Sequence, residues 1–148
     1  MPATIRRLPV EIQSAALPYR LDAAGAVEIL LVTTAKRGRW SIPKGRVPTA
    51  MGFAESAAKE AYEEAGVLGE IRQTASGSFR ITKRKPDGSA QVIEVWVYLM
   101  PVTRALDDWP EKGRRRVEWF PLERAKALVG EPAVAGIMER LAAELAGA

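Results

Sequence analysis

Apolar and β-branched residues crowd into positions 26–33, Ala-Val-Glu-Ile-Leu-Leu-Val-Thr, directly after the turn-forming stretch from Asp22 to Gly25. That pattern predicts a buried strand, with residues 13–20 as its partner in an opening hairpin. Trp40-Ser41-Ile42 is a second short strand stopped by Pro43, and a loop over residues 45–52 follows Lys44. From residue 53 to residue 65, Ala54, Ala57, Ala58, Ala61 and Ala65 recur at helical spacing, and Gly66 stands where a left-handed C-terminal cap belongs. A helix lined with alanine can lie very close to a sheet and bring its polar neighbours into register with it. Pro86-Asp87-Gly88-Ser89 then separates residues 78–85 from residues 91–100, a second hairpin with Pro setting φ and Gly accepting a positive one. Residues 117–120 form one more strand, and residues 122–129 and 132–145 two helices, the last with Ala133, Ile137, Leu141 and Leu145 on one face. Strands and helices are mixed without an internal repeat, which predicts one α/β (α+β) domain over residues 1–148.

Composition narrows the chemistry. The 148 residues, 47% hydrophobic and 27% charged, suit a soluble domain that buries a core unaided. There is no cysteine and no histidine. Disulfides, thiolate or imidazole metal sites, cysteine nucleophiles and Ser-His-Asp triads are therefore excluded, leaving carboxylates, Lys, Tyr, backbone or an oxygen-bound cation. The first ten residues lack an apolar run of signal-peptide length, and no stretch approaches the roughly 20 apolar residues of a membrane span. A cytoplasmic protein without a membrane partner is the expectation. The net charge of +4, from 22 Lys plus Arg against 18 Asp plus Glu, suits nucleic acid or a small polyanion equally.

The sharpest local signal is Lys59-Glu60-Ala61-Tyr62-Glu63-Glu64-Ala65-Gly66-Val67. At about 100° per residue, Glu60, Glu63 and Glu64 fall within roughly a quarter turn, beside the alanine stripe. Three like charges so close repel. An ordinary solvated acidic face and a site for a hard divalent cation both account for the helix taken alone.

The loop before the helix decides between them. Residues 45–67 resemble the Nudix box: Gly, five residues, Glu, seven residues, Arg-Glu-apolar-any-Glu-Glu-any-Gly-apolar. Gly45, Glu60, Ala61, Glu63, Glu64, Gly66 and Val67 match, whereas Met51 stands where the first Glu is expected and Lys59 replaces the Arg. The resemblance implies an α/β/α sandwich with a mixed sheet between helices. It also implies that Glu60 and Glu64 bind Mg2+, or Mn2+ in its place, with the backbone carbonyl of Lys44 or Gly45. Glu63 is then the group that activates water, and the reaction is hydrolysis of a phosphoanhydride bond. Lys59 keeps the charge of the family's Arg but not its planar fork. Met51 removes a carboxylate, and the helical direction of Glu55 points away from the Glu60 to Glu64 edge.

Three basic clusters lie in or beside loops: Lys36-Arg37-Gly38-Arg39, Lys83-Arg84-Lys85 and Gly113-Arg114-Arg115-Arg116. Residues 106–120 resemble one branch of the family, the diphosphoinositol polyphosphate phosphohydrolases, which also cleave diadenosine polyphosphates. The resemblance implies an anionic small-molecule substrate held by Lys36, Arg39, Arg84, Arg114, Arg115 and Arg116, with one extra residue before Trp119 blurring the arginine register. Trp40, Trp96, Trp109 and Trp119 sit in apolar or strand contexts where packing is the commoner role, and they define no nucleobase pocket. Rival readings are hydrolysis of nucleoside diphosphate derivatives or of RNA 5′ ends, the one form of nucleic acid in view, and a catalytically silent polyphosphate-binding module. No residue pattern indicates an oligomeric state.

Overall fold

The computed structural model describes residues 10–35 and 37–147. Its strands and helices follow in the order β1 (Val10–Leu21), β2 (Val27–Thr33), β3 (Trp40–Ser41), β4 (Lys44–Arg46) and α1 (Phe53–Glu60). A π-type turn, Ala61–Ala65, extends α1 and leads to β5 (Val67–Gly69), β6 (Gly77–Arg84), β7 (Ala90–Ala105) and β8 (Val117–Pro121). Helices α2 (Leu122–Val129) and α3 (Pro132–Ala146) complete the chain.

Two long strands organise the sheet. β1 and β7 run parallel from the Val10–Val92 pair to the Tyr19–Pro101 pair, and every other strand pairing among the described residues is antiparallel. A parallel pair cannot be joined by a tight turn, so the chain between β1 and β7 is free to carry α1 across one face. Strands β4 and β2 share the other edge of β1, whereas β6 and β5 both pair with β7.

Alternation along the strands supplies an apolar layer on each face. On one face Ala15, Leu17, Ile29, Leu31, Val95, Val97 and Leu99 pack against Ala125 of α2 and Val134, Ile137, Met138 and Leu141 of α3. On the other, Ala16, Leu30, Val32, Tyr98 and Met100 meet Ala54, Ala57, Ala61 and Ala65. The expected α/β/α sandwich with a mixed sheet is thus the observed one. The alanines are 0–6% exposed, so α1 lies against the sheet with no long side chain between them.

Several boundaries differ from the sequence reading. The opening hairpin forms, but β2 pairs only with Tyr19–Leu21 at the end of β1. The loop expected over residues 45–52 begins later, because Lys44–Arg46 forms β4 against Gln13, Ser14 and Ala15. Lys-Gly-Arg carries no apolar alternation and becomes a strand only through that neighbour. The helix does reach residue 65, but its last five residues open into the wider turn, and Val67–Gly69 is a short strand without a prior signal. The second hairpin turns as expected, with Gly88 at φ 86° and Asp87 accepting from Ser89 N at 2.8 Å. Lys36 and the first nine residues fall outside the described residues, and so do the expectations placed on them. Among the described residues no helix is long and apolar enough to cross a membrane.

Candidate active site

The site begins with the absence of one side chain. A Cβ on Gly45 would stand 2.5 Å from both Cδ and Oε1 of Glu60. Only glycine lets the β4 backbone pass this close to the carboxylate, which brings backbone carbonyls of that strand and the α1 acid to one place.

The π-type turn sets the rest. Gly66, at φ 67°, ends it by donating its N–H to the Tyr62 carbonyl at 3.1 Å. The turn sends Glu64 inward, 5% exposed, while the Glu63 side chain stays 28% exposed. Glu64 lies within hydrogen-bonding reach of Glu60. Burial, then that contact, pushes the Glu64 carboxyl up to about 9, against the opposing pull of Arg115. Glu63 does not join them. Its carboxylate pairs with Lys59 at 2.9 Å on the outer side of the helix.

Two basic side chains, Arg115 and Lys44, stand beside Glu64. Arg115, its side chain only 16% exposed, donates Nη1 to Glu64 at 3.2 Å and Nη2 to Glu111 at 2.7 Å. Its buried Nε has no partner among the described residues. Lys44 donates Nζ to Ser41 Oγ at 3.1 Å. Burial lowers its pKa, with Glu64 pulling it back up and Arg115 adding to the lowering. Lys44, Glu64 and Arg115 line a recess of about 220 Å³ with Gln13, Thr33, Thr34 and Ser41. A second recess adjoins it, sharing Thr34, Ser41, Ile42 and Lys44 and adding Arg39, Trp40, Phe79, Ile81, Val134 and Glu131.

The loop between β7 and β8 delivers Arg115. Leu106 N donates to the Gly66 carbonyl at 2.8 Å, and Glu111 N to the Glu63 carbonyl at 3.0 Å. Trp109 packs over Gly66 so tightly that a Cβ there would come within 2.4 Å of the indole.

Of the expected substrate-binding residues, Arg39 and Arg115 reach the cleft. Arg116 turns to Glu118 at 3.0 Å and lies over the Trp40 ring, its carbon 5.0 Å from the centroid. Arg114 is exposed. Arg84 alternates with Phe79 and Ile81, so it belongs to the sheet face opposite the one that lines the cleft. Lys83 has the matching parity. The Lys44 side chain, Glu111, Phe79 and Glu131 are site residues that the sequence reading did not name. Lys44 carried a signal, standing beside the box glycine, whereas the other three depend on long-range packing.

Among the described residues no three acidic side chains converge into a complete cation cage. Mg2+ does not require one, since it binds through one or two carboxylates and fills the remaining positions with water and substrate phosphate. Glu60 and Glu64, held against a backbone that only glycine permits, fit that demand. The fit is also electrostatic, because the buried Glu64 carboxylate in contact with the half-buried Glu60 remains costly until a proton or a cation lies between them.

Residues 12–141 match the NUDIX domain family model, and the chain belongs to the Nudix family. It is 28% identical over 130 residues to Nudix hydrolase 12, mitochondrial, of Arabidopsis thaliana, a match covering 78% of this chain and 64% of that protein. With diphosphoinositol polyphosphate phosphohydrolase 2 of Rattus norvegicus the identity is 35% over 120 residues, covering 77% of this chain and 62% of the relative. The chain thus spans less than two thirds of the length of these relatives. A C. elegans Ap4A hydrolase binary complex superposes with a TM-score of 0.68 at 20% identity, across 93% of this chain and 99% of its own. The MutT protein from Methanosarcina mazei Go1 gives 0.65 at 19%, across 95% and 98%. At those identities the likeness is one of fold.

Proposed function

We propose that the chain is a Mg2+-dependent hydrolase of a phosphoanhydride bond in a polyphosphorylated small molecule, with a diadenosine polyphosphate as its substrate type. The observation that carries this reading is the Glu60–Glu64 pair at Gly45, opening on a cleft lined by Lys44, Arg39 and Arg115. Glu60, Glu64 and a carbonyl of Lys44 or Gly45 are the groups that would hold the metal, Mg2+ or Mn2+. When bound, it neutralises phosphate charge and acidifies water.

The protein's own groups do the remaining work. Lys44 and Arg115 clamp the phosphate chain from two sides, Lys44 as a point charge and Arg115 as a planar fork. Holding the reacting phosphorus and a water in line supplies much of the rate. Glu63 accepts the proton of that water, after its carboxylate turns inward from Lys59. In the structure that carboxylate is held by Lys59 at 2.9 Å, at the end of the same helix that carries Glu60.

The second recess favours a nucleotide end over an inositol ring. Beyond Arg39 and Lys44, which suit the phosphates, the recess is walled by Trp40, Ile42, Phe79, Ile81 and Val134, and Glu131 contributes a carboxylate. Such walls suit a flat base, whereas a ring bearing phosphates all round would meet unfavourable contacts. A cytoplasmic location belongs to the same reading.

Phosphate and nucleotide release should be measured with and without Mg2+ on diadenosine polyphosphates, inositol pyrophosphates, nucleoside diphosphate derivatives and triphosphorylated RNA. Metal-dependent turnover of the diadenosine compounds, abolished by Glu64→Gln, is the expected result. Saturable binding without turnover of any compound would replace this reading with the silent module.

A further inference from the structure

Two hydroxyls beneath α1 take no part in the mechanism described above. Ser14 and Ser56 are both 0% exposed, and neither Oγ has a hydrogen-bond partner among the described residues. Orphaned buried hydroxyls are uncommon and costly.

Both belong to the surroundings of Glu60. Ser14 lies directly opposite Gly45 across the β1–β4 ladder. Opposed side chains on one sheet face stand about 4.5–5.5 Å apart, and the point where a Gly45 Cβ would sit is 2.5 Å from Glu60 Cδ. Ser14 therefore presents its hydroxyl on the face where the carboxylate rests. Ser56 comes from the helix, one turn before Glu60 in α1, and residues four apart share a helix face.

We propose that Ser14 and Ser56 are positioning residues that hold the Glu60 carboxylate in its metal-binding orientation through one bridging water. A buried water takes two to four polar partners, and the two hydroxyls with one carboxylate oxygen make three. Each hydroxyl can donate or accept, which leaves the water a proton to direct at Glu60. The inference rests on Glu60 being a metal ligand. The competing account makes both serines mere small residues, present like the neighbouring alanines so that α1 can pack closely.

The test is Mn2+ binding without substrate, read from the electron paramagnetic resonance signal of the free ion. Wild type, Ser14→Ala, Ser56→Ala and Glu60→Gln are compared, with the melting temperature of each metal-free protein as a check on folding. The expected result is an affinity about tenfold weaker in each serine variant, the scale on which groups behind a ligand act. In a Glu60→Gln background the same serine changes should add little. Unchanged Mn2+ affinity in a folded serine variant, with Glu60→Gln still impaired, overturns the positioning role alone. If Glu60→Gln binds Mn2+ as wild type does, the metal-ligand reading falls and the positioning role falls with it. Testing each serine separately keeps the question open to an answer should one variant fail to fold.

Discussion

Arg115 bonds Glu64 at 3.2 Å, so the most buried acid of the helix and a cation from the β7–β8 loop form one pair. Arg115→Gln removes the cation and leaves both Glu64 and Glu111 without their partner. It should lower stability by roughly 1–3 kcal/mol, the cost of leaving buried polar groups unsatisfied. If the guanidinium also grips phosphate, KM for a diadenosine polyphosphate should rise about 10–100-fold, the equivalent of one charge-assisted hydrogen bond. Chemical denaturation and steady-state kinetics check the two parts separately.

The Glu64 carboxyl, pushed up to about 9 by burial and by Glu60, has an ordinary value of 4.5. Between those values the folded protein keeps a proton that the unfolded chain has lost. Stability without metal should therefore be greatest near the acid end of that window and decline as pH rises towards 9. On the proposed reading Mg2+ would take the place of the proton, so the rise in melting temperature on adding it should be larger at pH 8.5 than at pH 6. An equal rise at both would mean that the carboxyl is already ionised.

Gly45→Ala places a methyl 2.5 Å from the Glu60 carboxyl carbon. The extended strand tolerates alanine, so the protein should fold while Glu60 is driven out of place. Turnover should fall by more than about 100-fold, as misplacement by about 1 Å can cost that much, and Mn2+ binding should weaken with it. A variant with native kinetics would show that Glu60 does not hold the metal.

Phe79→Ala removes one of the two aromatic side chains, with Trp40, that line the second recess. KM for diadenosine substrates should rise about tenfold, while kcat stays within about twofold, because the lost contact serves ground state and transition state alike. The same change should leave inositol pyrophosphate kinetics as they were. A parallel loss on both substrates would mean that the recess does not hold a base.

The helix and its acids were legible because both are local patterns: alanine at helical spacing, three glutamates and a capping glycine. Their final arrangement was not. Uniform helical rotation groups Glu63 with Glu60 and Glu64, but the π-type turn buries Glu64 and leaves Glu63 with Lys59. The basic clusters were visible as composition, yet composition does not say which sheet face a residue takes, and Arg84 alternates away from the cleft. Lys44 and Glu64 are 20 positions apart, and only the packing of α1 on β1 and β4 brings them to one recess. β4 itself has no apolar pattern to read.

The β7–β8 loop is fastened to the end of the glutamate helix at three points, through Leu106, Trp109 and Glu111. Helix end and loop are therefore fastened together as a single structural part. A graft of this loop onto a relative's scaffold, made to import its substrate preference, would carry Arg115 to the wrong place unless residues 62–66 travelled with it.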